Sequence, residues 1–209
     1  MKTGWAPDFF LVANDEFTGK LLVNKNLLAC GLAASQLAEL VATEQVTLDN
    51  GLVVAIDDGP QSGAGAFVMS TIAEQTTNHG VRAWIQNLGE VLCELVARQL
   101  VEDGVLRREL TGVRRSERYP AHDLLRAARP RIWLESAVAD PRKMELATAW
   151  LVTLIYILQI EQRVLGPTAD RAAVRELGEA ILPQLPSHLQ TVLEGCRASG
   201  EGVALTIKR

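Results

Sequence analysis

The sequence predicts a mainly α fold in which two short β-hairpins interrupt a series of helices. Apolar residues recur at helical spacing from Val81 to Leu100, and Gly104 follows as a C-cap glycine. The uncharged apolar stretch from Leu146 to Ile160 is typical of a buried core helix, because it is shorter than the about 20 residues that cross a bilayer. The turn Asp49-Asn50-Gly51 lies between two apolar, β-branched runs and predicts the first hairpin.

The first half of the chain supplies four elements. A helix is predicted over residues 27–43, with Asn26 as its N-cap. The first hairpin spans residues 46–54, and the stretch 57–65, rich in Asp, Gly, Pro and Ser, is a loop. A short helix is expected over residues 67–76.

The second half begins with another hairpin and continues with helices. The hairpin is predicted over residues 105–120, where residue character alternates and Thr111-Gly112 supplies the turn. Proline cannot donate to the helical ladder, so the next helix, residues 122–138, should bend or break at Pro130. Further helices are expected over residues 143–165, 168–182 and 187–198.

Length and composition predict one folded domain over residues 1–209. The chain has 209 residues, of which 48% are apolar, so it can bury a sizeable core and is not a disordered polypeptide. Its net charge of −4 argues against a generally basic protein that coats nucleic acid.

The cysteines and apolar segments predict a cytoplasmic protein. Cys30, Cys93 and Cys196 are widely spaced, which favours a reducing compartment and thiols that pack as small apolar side chains. The apolar run of residues 9–13 is too short for a signal peptide. Membrane contact is therefore expected to be peripheral, at the inner face of the plasma membrane.

No constellation in the sequence supports catalysis, a metal site or a cofactor. The three histidines, His79, His122 and His188, fall in different elements without a neighbouring cysteine. No nucleophile elbow or complete phosphate-binding glycine loop is present. We therefore expect a non-enzymatic protein without a cofactor.

The most informative charge feature is a basic segment at residues 107–131. It holds eight arginines against three acidic residues, a net charge of +5, so the rest of the chain sums to −9. Guanidinium groups bind phosphate oxygens in pairs, so the hairpin could face anionic phospholipid headgroups or nucleic acid. It could also contact a protein partner, or be a solvated hairpin whose arginines pair with Glu109 and Glu117. The candidate lipid-binding residues are Arg107, Arg108, Arg114, Arg115 and Arg118.

A helix followed by a basic hairpin is also typical of winged-helix DNA-binding domains. In this alternative the helix that ends near residue 103 would enter the major groove. Acidic residues stand where that helix would meet the DNA backbone, namely Glu90, Glu94, Glu102 and Asp103. They would repel DNA, so the DNA-binding regulator is the second hypothesis.

The order and spacing of several segments resemble the Golgi phosphoprotein three family, in its bacterial, actinobacterial-type branch. The resemblance runs from about residue 9 to residue 198 and is carried by residues 15–23, 31–40, 46–54, 97–106, 118–120 and 140–142. It implies a helical bundle core with peripheral amphipathic helices and one projecting β-hairpin. It also implies a peripheral membrane or adaptor protein, since eukaryotic members bind phosphatidylinositol 4-phosphate and link membranes to trafficking partners.

The family's headgroup residues are replaced in this chain. Its pocket uses a tryptophan and three arginines, and these positions align with Asn24, Ala33, Glu90 and Cys93. The hairpin tip, residues 111–115, is polar and basic where the family's tip is apolar. The hypothesis is therefore that the fold persists while phosphoinositide binding is altered or weakened. Lys20, Lys25 and Arg82 are candidates for a replacement pocket, and a protein partner or a homo-oligomer stays open.

Overall fold

The computed structural model describes residues 4–56, 62–113, 115–166 and 169–206, with side chains up to residue 200. The predicted mainly α fold with two short hairpins is confirmed. Within these ranges the helices are α1 (Trp5–Val12), α2 (Lys25–Ala42), α3 (Gly63–Ala73), α4 (Val81–Glu102), α5 (Leu124–Ala139), α6 (Leu146–Leu158), α7 (Glu161–Val164), α8 (Arg171–Ile181) and α9 (Ser187–Thr206). The strands are β1 (Val46–Asp49), β2 (Leu52–Ala55), β3 (Glu109–Thr111) and β4 (Ser116–Arg118).

Helices α2 and α4 form the centre of the molecule. Helix α2 packs against α1, α4 and α9, and α4 also contacts α3 and α9. Glycines allow the close approach: a Cβ atom on Gly89 would lie 2.9 Å from the carbonyl oxygen of Ala29, and one on Gly31 would lie 2.2 Å from Cε1 of Phe9. The three cysteines are buried in this core, as predicted.

The apolar helix α6 is buried and joined to the core by Trp150. Its indole Nε1 donates to the Ser35 hydroxyl at 3.1 Å, and its ring stacks on Trp5 with centroids 5.7 Å apart. The prediction of one helix over residues 143–165 is wrong. A 3₁₀ turn (Pro141–Lys143) precedes α6, and Gln159 adopts a left-handed conformation with φ of 54°, which separates α6 from α7.

Other helix boundaries differ from the predictions by a few residues. Helix α2 begins earlier, because Asn24 rather than Asn26 is the N-cap and accepts from Leu27 N at 2.8 Å. Helix α3 begins at Gly63, inside the predicted loop, of which residues 57–61 lie outside the described ranges. Helix α5 runs from Leu124 to Ala139 as one element, so the chain does not break at Pro130, although proline has no N–H to donate to the helical ladder.

Both predicted hairpins are confirmed as antiparallel pairs. In the first, Asp49 faces Leu52 across a turn in which Asn50 and Gly51 have φ of 50° and 79°, the conformation that tight hairpin turns require. In the second, Glu109 faces Arg118 and Thr111 faces Ser116.

Gly31→Ala is expected to lower the free energy of unfolding by about 1–3 kcal/mol, because the new methyl group would overlap the buried ring of Phe9. The gain in helix propensity from alanine, about 1 kcal/mol, offsets only part of this cost. Urea denaturation followed by circular dichroism measures the change. Gly166→Ala is the matched control, since nothing lies within 4 Å of its Cβ position. Equal stability of the two variants would contradict the packing described here.

Candidate functional site

The second hairpin stands on a base formed with the loop of residues 14–21. Arg107 N donates to the Pro120 carbonyl at 2.9 Å and closes the hairpin. Tyr119 N donates to the Gly19 carbonyl at 3.0 Å. Only glycine fits position 19, because its φ is 63° and a Cβ atom would lie 2.3 Å from the nitrogen of Pro120. The loop and the hairpin are therefore fixed to one another.

Arg131 on α5 holds this base in place. Its guanidinium binds the Glu16 carboxylate and donates to the carbonyls of Val12, at 3.1 Å, and Asn14, at 2.8 Å. Asn14 in turn donates to the Tyr119 carbonyl at 2.8 Å. The side chains of Arg131 and Glu16 are only 17% and 20% exposed, so this ion pair is largely shielded from water.

Two of the five candidate arginines are engaged by acids of the same hairpin. Arg107 Nε lies 2.9 Å from a Glu109 carboxylate oxygen, and Arg108 binds Glu117. The Tyr119 hydroxyl donates to the other oxygen of Glu117 at 2.6 Å. The Tyr119 and Arg108 hydrogen bonds lower the pKa of Glu117, and burial together with Glu117 raises the pKa of Tyr119 to about 12.

Two other candidate arginines have no acidic partner among the described residues. Arg115 is exposed and Arg118 is half-buried. Arg114 lies outside the described residues. The tip is not wholly polar, because Val113 is fully exposed and Leu110 about half exposed.

The loop beside the hairpin adds an aromatic side chain that the sequence analysis missed. Phe17 is 72% exposed, and Lys20 is exposed in the same loop. Asp15 holds the loop, since its carboxylate accepts from Phe17 N at 3.2 Å and from Thr18 N at 2.7 Å. The sequence did contain a signal for this exposed side chain, since Phe17 is the one aromatic residue among the polar residues 14–20. We call these side chains together the hairpin surface: Leu110, Val113, Arg115, Arg118, Phe17 and Lys20.

The three candidate residues of a replacement pocket lie in three different elements of the fold. Lys25 Nζ lies 3.5 Å from the Glu90 carboxylate. Arg82 is exposed in the first turn of α4, about 12 Å along the helix axis from Glu90. Lys20 belongs to the loop at the hairpin base.

The model of the Golgi phosphoprotein 3 (GPP34) family matches residues 6–194, nearly the whole chain. The chain belongs to the Golgi phosphoprotein 3 family. No curated protein matches it in sequence. Family membership suggests a non-enzymatic lipid-binding or adaptor role. In the part of the chain that the structure describes, no helix is long and apolar enough to cross a membrane.

The four positions that the sequence analysis assigned to the family's headgroup pocket make other contacts in this structure. Asn24 caps α2, Ala33 is fully buried, and Glu90 binds Lys25. Cys93 is buried, which raises the pKa of its thiol to about 11. None of these side chains offers a positive charge to a phosphate.

The contacts of Arg126 and Arg131 and the position of α4 argue against the DNA-binding alternative. Arg126 donates to the Asp103 carbonyl at 2.8 Å and Arg131 serves the hairpin base, so neither extends a basic face. Helix α4 lies within the bundle, and its exposed side carries Glu90, Glu94 and Glu102 beside Arg82 and Arg98, of which Arg98 pairs with Glu102. A central helix whose exposed side has no net positive charge is unsuited to a DNA groove.

Arg131→Met is expected to lower the free energy of unfolding by about 2–4 kcal/mol, because it leaves the shielded Glu16 carboxylate and two carbonyls without their donor. Chemical denaturation measures the change, and faster amide hydrogen exchange at Tyr119 and Ala121 would locate it at the hairpin base. Arg129→Met, on the same helix and without an acidic partner among the described residues, should change stability by no more than about 0.5 kcal/mol. Similar losses in both variants would refute the role given to Arg131.

Proposed function

We propose that this protein is a non-enzymatic peripheral membrane protein that attaches to anionic phospholipid through the hairpin surface. Specific recognition of phosphatidylinositol 4-phosphate, the family's ligand, is weakened or lost. The protein is cytoplasmic, lies at the inner face of the plasma membrane when attached, and can bind a protein partner there. The observation that carries the proposal is the combination of unpaired arginines and exposed apolar side chains on one short hairpin.

The charge of the hairpin favours an anionic surface. Residues 107–118 contain five arginines and two glutamates, which gives a net charge of +3. An arginine near an anionic membrane contributes about 1 kcal/mol, so Arg115 and Arg118 together contribute about 2 kcal/mol. Arg107 and Arg108 are less available because Glu109 and Glu117 occupy them. The expected attachment is reversible and sensitive to salt.

The apolar side chains favour a membrane over a soluble polyanion. Val113 is fully exposed at the tip of the hairpin. Leu110, in β3, is about half exposed, and Phe17, in the loop at the hairpin base, is largely exposed. Such side chains gain free energy in the interfacial region of a bilayer, which nucleic acid phosphates do not provide. The apolar and basic parts of the hairpin surface therefore support the same partner.

The replacement of the pocket residues favours recognition of surface charge over recognition of one headgroup. Glu90 would repel a phosphate, and it already pairs with Lys25. Binding should therefore follow the mole fraction of anionic lipid, whichever anionic lipid supplies it. Phosphatidylserine and phosphatidylinositol 4-phosphate should be equivalent when matched for total charge.

Arg115→Ala/Arg118→Ala is expected to reduce binding to vesicles of phosphatidylcholine with 30% phosphatidylserine by about tenfold or more, because about 2 kcal/mol of attraction is removed. Flotation at low and high salt measures the bound fraction. Arg163→Ala/Arg175→Ala, a control with the same change in net charge on α7 and α8, should bind like the wild type. Equal, negligible binding of the wild type to anionic and zwitterionic vesicles would end the proposal.

Val113→Ser is expected to weaken binding to the same vesicles about threefold or more without changing its salt dependence, because it removes apolar contact and leaves the charge intact. Val91→Ser, at a partly exposed position on α4, is the matched control. Unchanged flotation of Val113→Ser would remove the apolar part of the proposal and leave only electrostatic attachment. A gel shift on random duplex DNA, run in parallel, tests the DNA-binding alternative.

A further inference from the structure

A cavity of about 420 Å³ lies apart from the hairpin surface, among α1, α2, α5, the 3₁₀ turn of residues 141–143 and α6. Its wall includes Trp5 and Trp133, and Met144 lies beside them. The volume falls in the range of small-molecule sites, which are mostly apolar with a few placed polar groups. The cavity is thus large enough for a small organic ligand.

The charged residues of the cavity are mainly acidic. Asp8, Glu39, Asp140 and Glu145 line it together with a single lysine, Lys143, which gives a formal charge of −3. Lys143 Nζ lies 3.0 Å from Asp140, so this lysine is already engaged. The acid of the cavity that bears on its ligand is therefore Glu39, because Asp140 is paired with Lys143 and Arg142.

Glu39, on α2, has its carboxylate fixed at this cavity. Its carboxylate accepts from Trp5 N, the first residue of α1, at 3.2 Å. No ion pair with a lysine or arginine engages Glu39 among the described residues. Burial raises the pKa of Glu39, and the hydrogen bond from Trp5 N only partly opposes this. A cationic ligand would compensate the buried charge.

The tryptophans give the cavity a second feature that suits a cation. One face of Trp5 is covered by Trp150, which fixes the orientation of its ring. Trp133 is half-buried on α5 in the same wall. Indole faces attract ammonium groups more strongly than other aromatic rings do, and they also contact methyl groups.

We infer that this cavity binds a small organic ammonium ion, of the quaternary or alkylated type, between the tryptophans and Glu39. The cation contacts the indole rings, and the Glu39 carboxylate supplies the opposite charge. The ammonium group belongs to a free small molecule or to the headgroup of a zwitterionic lipid, which share this chemistry. The inference is independent of the hairpin surface and does not rest on the proposed function.

Choline titrated into the ¹⁵N-labelled protein tests the inference through the indole N–H signals. The signals of Trp5 and Trp133 should shift with saturation, while that of Trp84, which is buried and does not line the cavity, should stay in place. 3,3-Dimethylbutan-1-ol, the uncharged analogue of choline, should bind at least about tenfold more weakly. Vesicles of phosphatidylcholine, with and without competing choline, distinguish a lipid headgroup from a free ammonium ion.

Variants assign the contacts to named residues. Trp133→Leu and Glu39→Gln should each weaken choline binding about fivefold or more, and glutamine keeps an acceptor for Trp5 N. Glu135→Gln, an exposed acid on α5 outside the cavity, is the matched control, and thermal melts verify that all variants fold.

A lysine close in sequence to the cavity residue Gly4 calls for one further variant. Lys2 lies two residues before Gly4, which lines the cavity, so Lys2→Ala is titrated beside the wild type. Saturable binding in either protein that Trp133→Leu weakens supports the site. The inference is overturned if neither protein responds, or if choline and its uncharged analogue bind equally.

Discussion

The position of the hairpin depends on the guanidinium group of Arg131. This one side chain binds Glu16 and the carbonyls of Val12 and Asn14, and so joins α5 to the end of α1 and to the following loop. The hairpin itself has only three paired positions on each strand. Isolated two-stranded hairpins are marginal in water, so its orientation must come from the base on which it stands. Arg131 is thus a structural residue that orients the hairpin surface.

The basic segment illustrates how residue counts and available charge differ. Arg126 and Arg131 serve backbone carbonyls, and Arg107 and Arg108 are held by acids of the hairpin. The described hairpin arginines without an acidic partner are therefore Arg115, at the tip, and Arg118, which faces Glu109 at the other end of the strand pair. The cavity beside Trp133 has the opposite charge. The two proposed sites would therefore bind groups of opposite charge, anionic groups at the hairpin and cationic groups in the cavity.

The parts of the fold that sequence alone could predict are those with local causes. The period of α4 and the Asn50-Gly51 turn depend on neighbouring residues, and both appear as expected. Helix α6 ends at Gln159, whose backbone is left-handed. Glycine or asparagine usually marks such a position, so a glutamine there could not be predicted as a helix end. The arginine pairings and the cavity depend on tertiary contacts: Glu39 meets the start of α1 from 34 residues away. The periodicity and spacing of residues in the sequence do not predict such tertiary contacts.

Membership in the Golgi phosphoprotein 3 family accounts for the architecture and leaves the ligand to be decided by individual side chains. At the aligned pocket positions, Ala33 and Cys93 are buried against neighbouring helices. Arginine at either position would have to displace packed atoms and carry a charge into the buried core. At Cys93, burial already raises the pKa of the thiol. Glu90 would still oppose the phosphate. Restoring the family's pocket would therefore take several coordinated changes, whereas the membrane attachment proposed for the hairpin requires none of them.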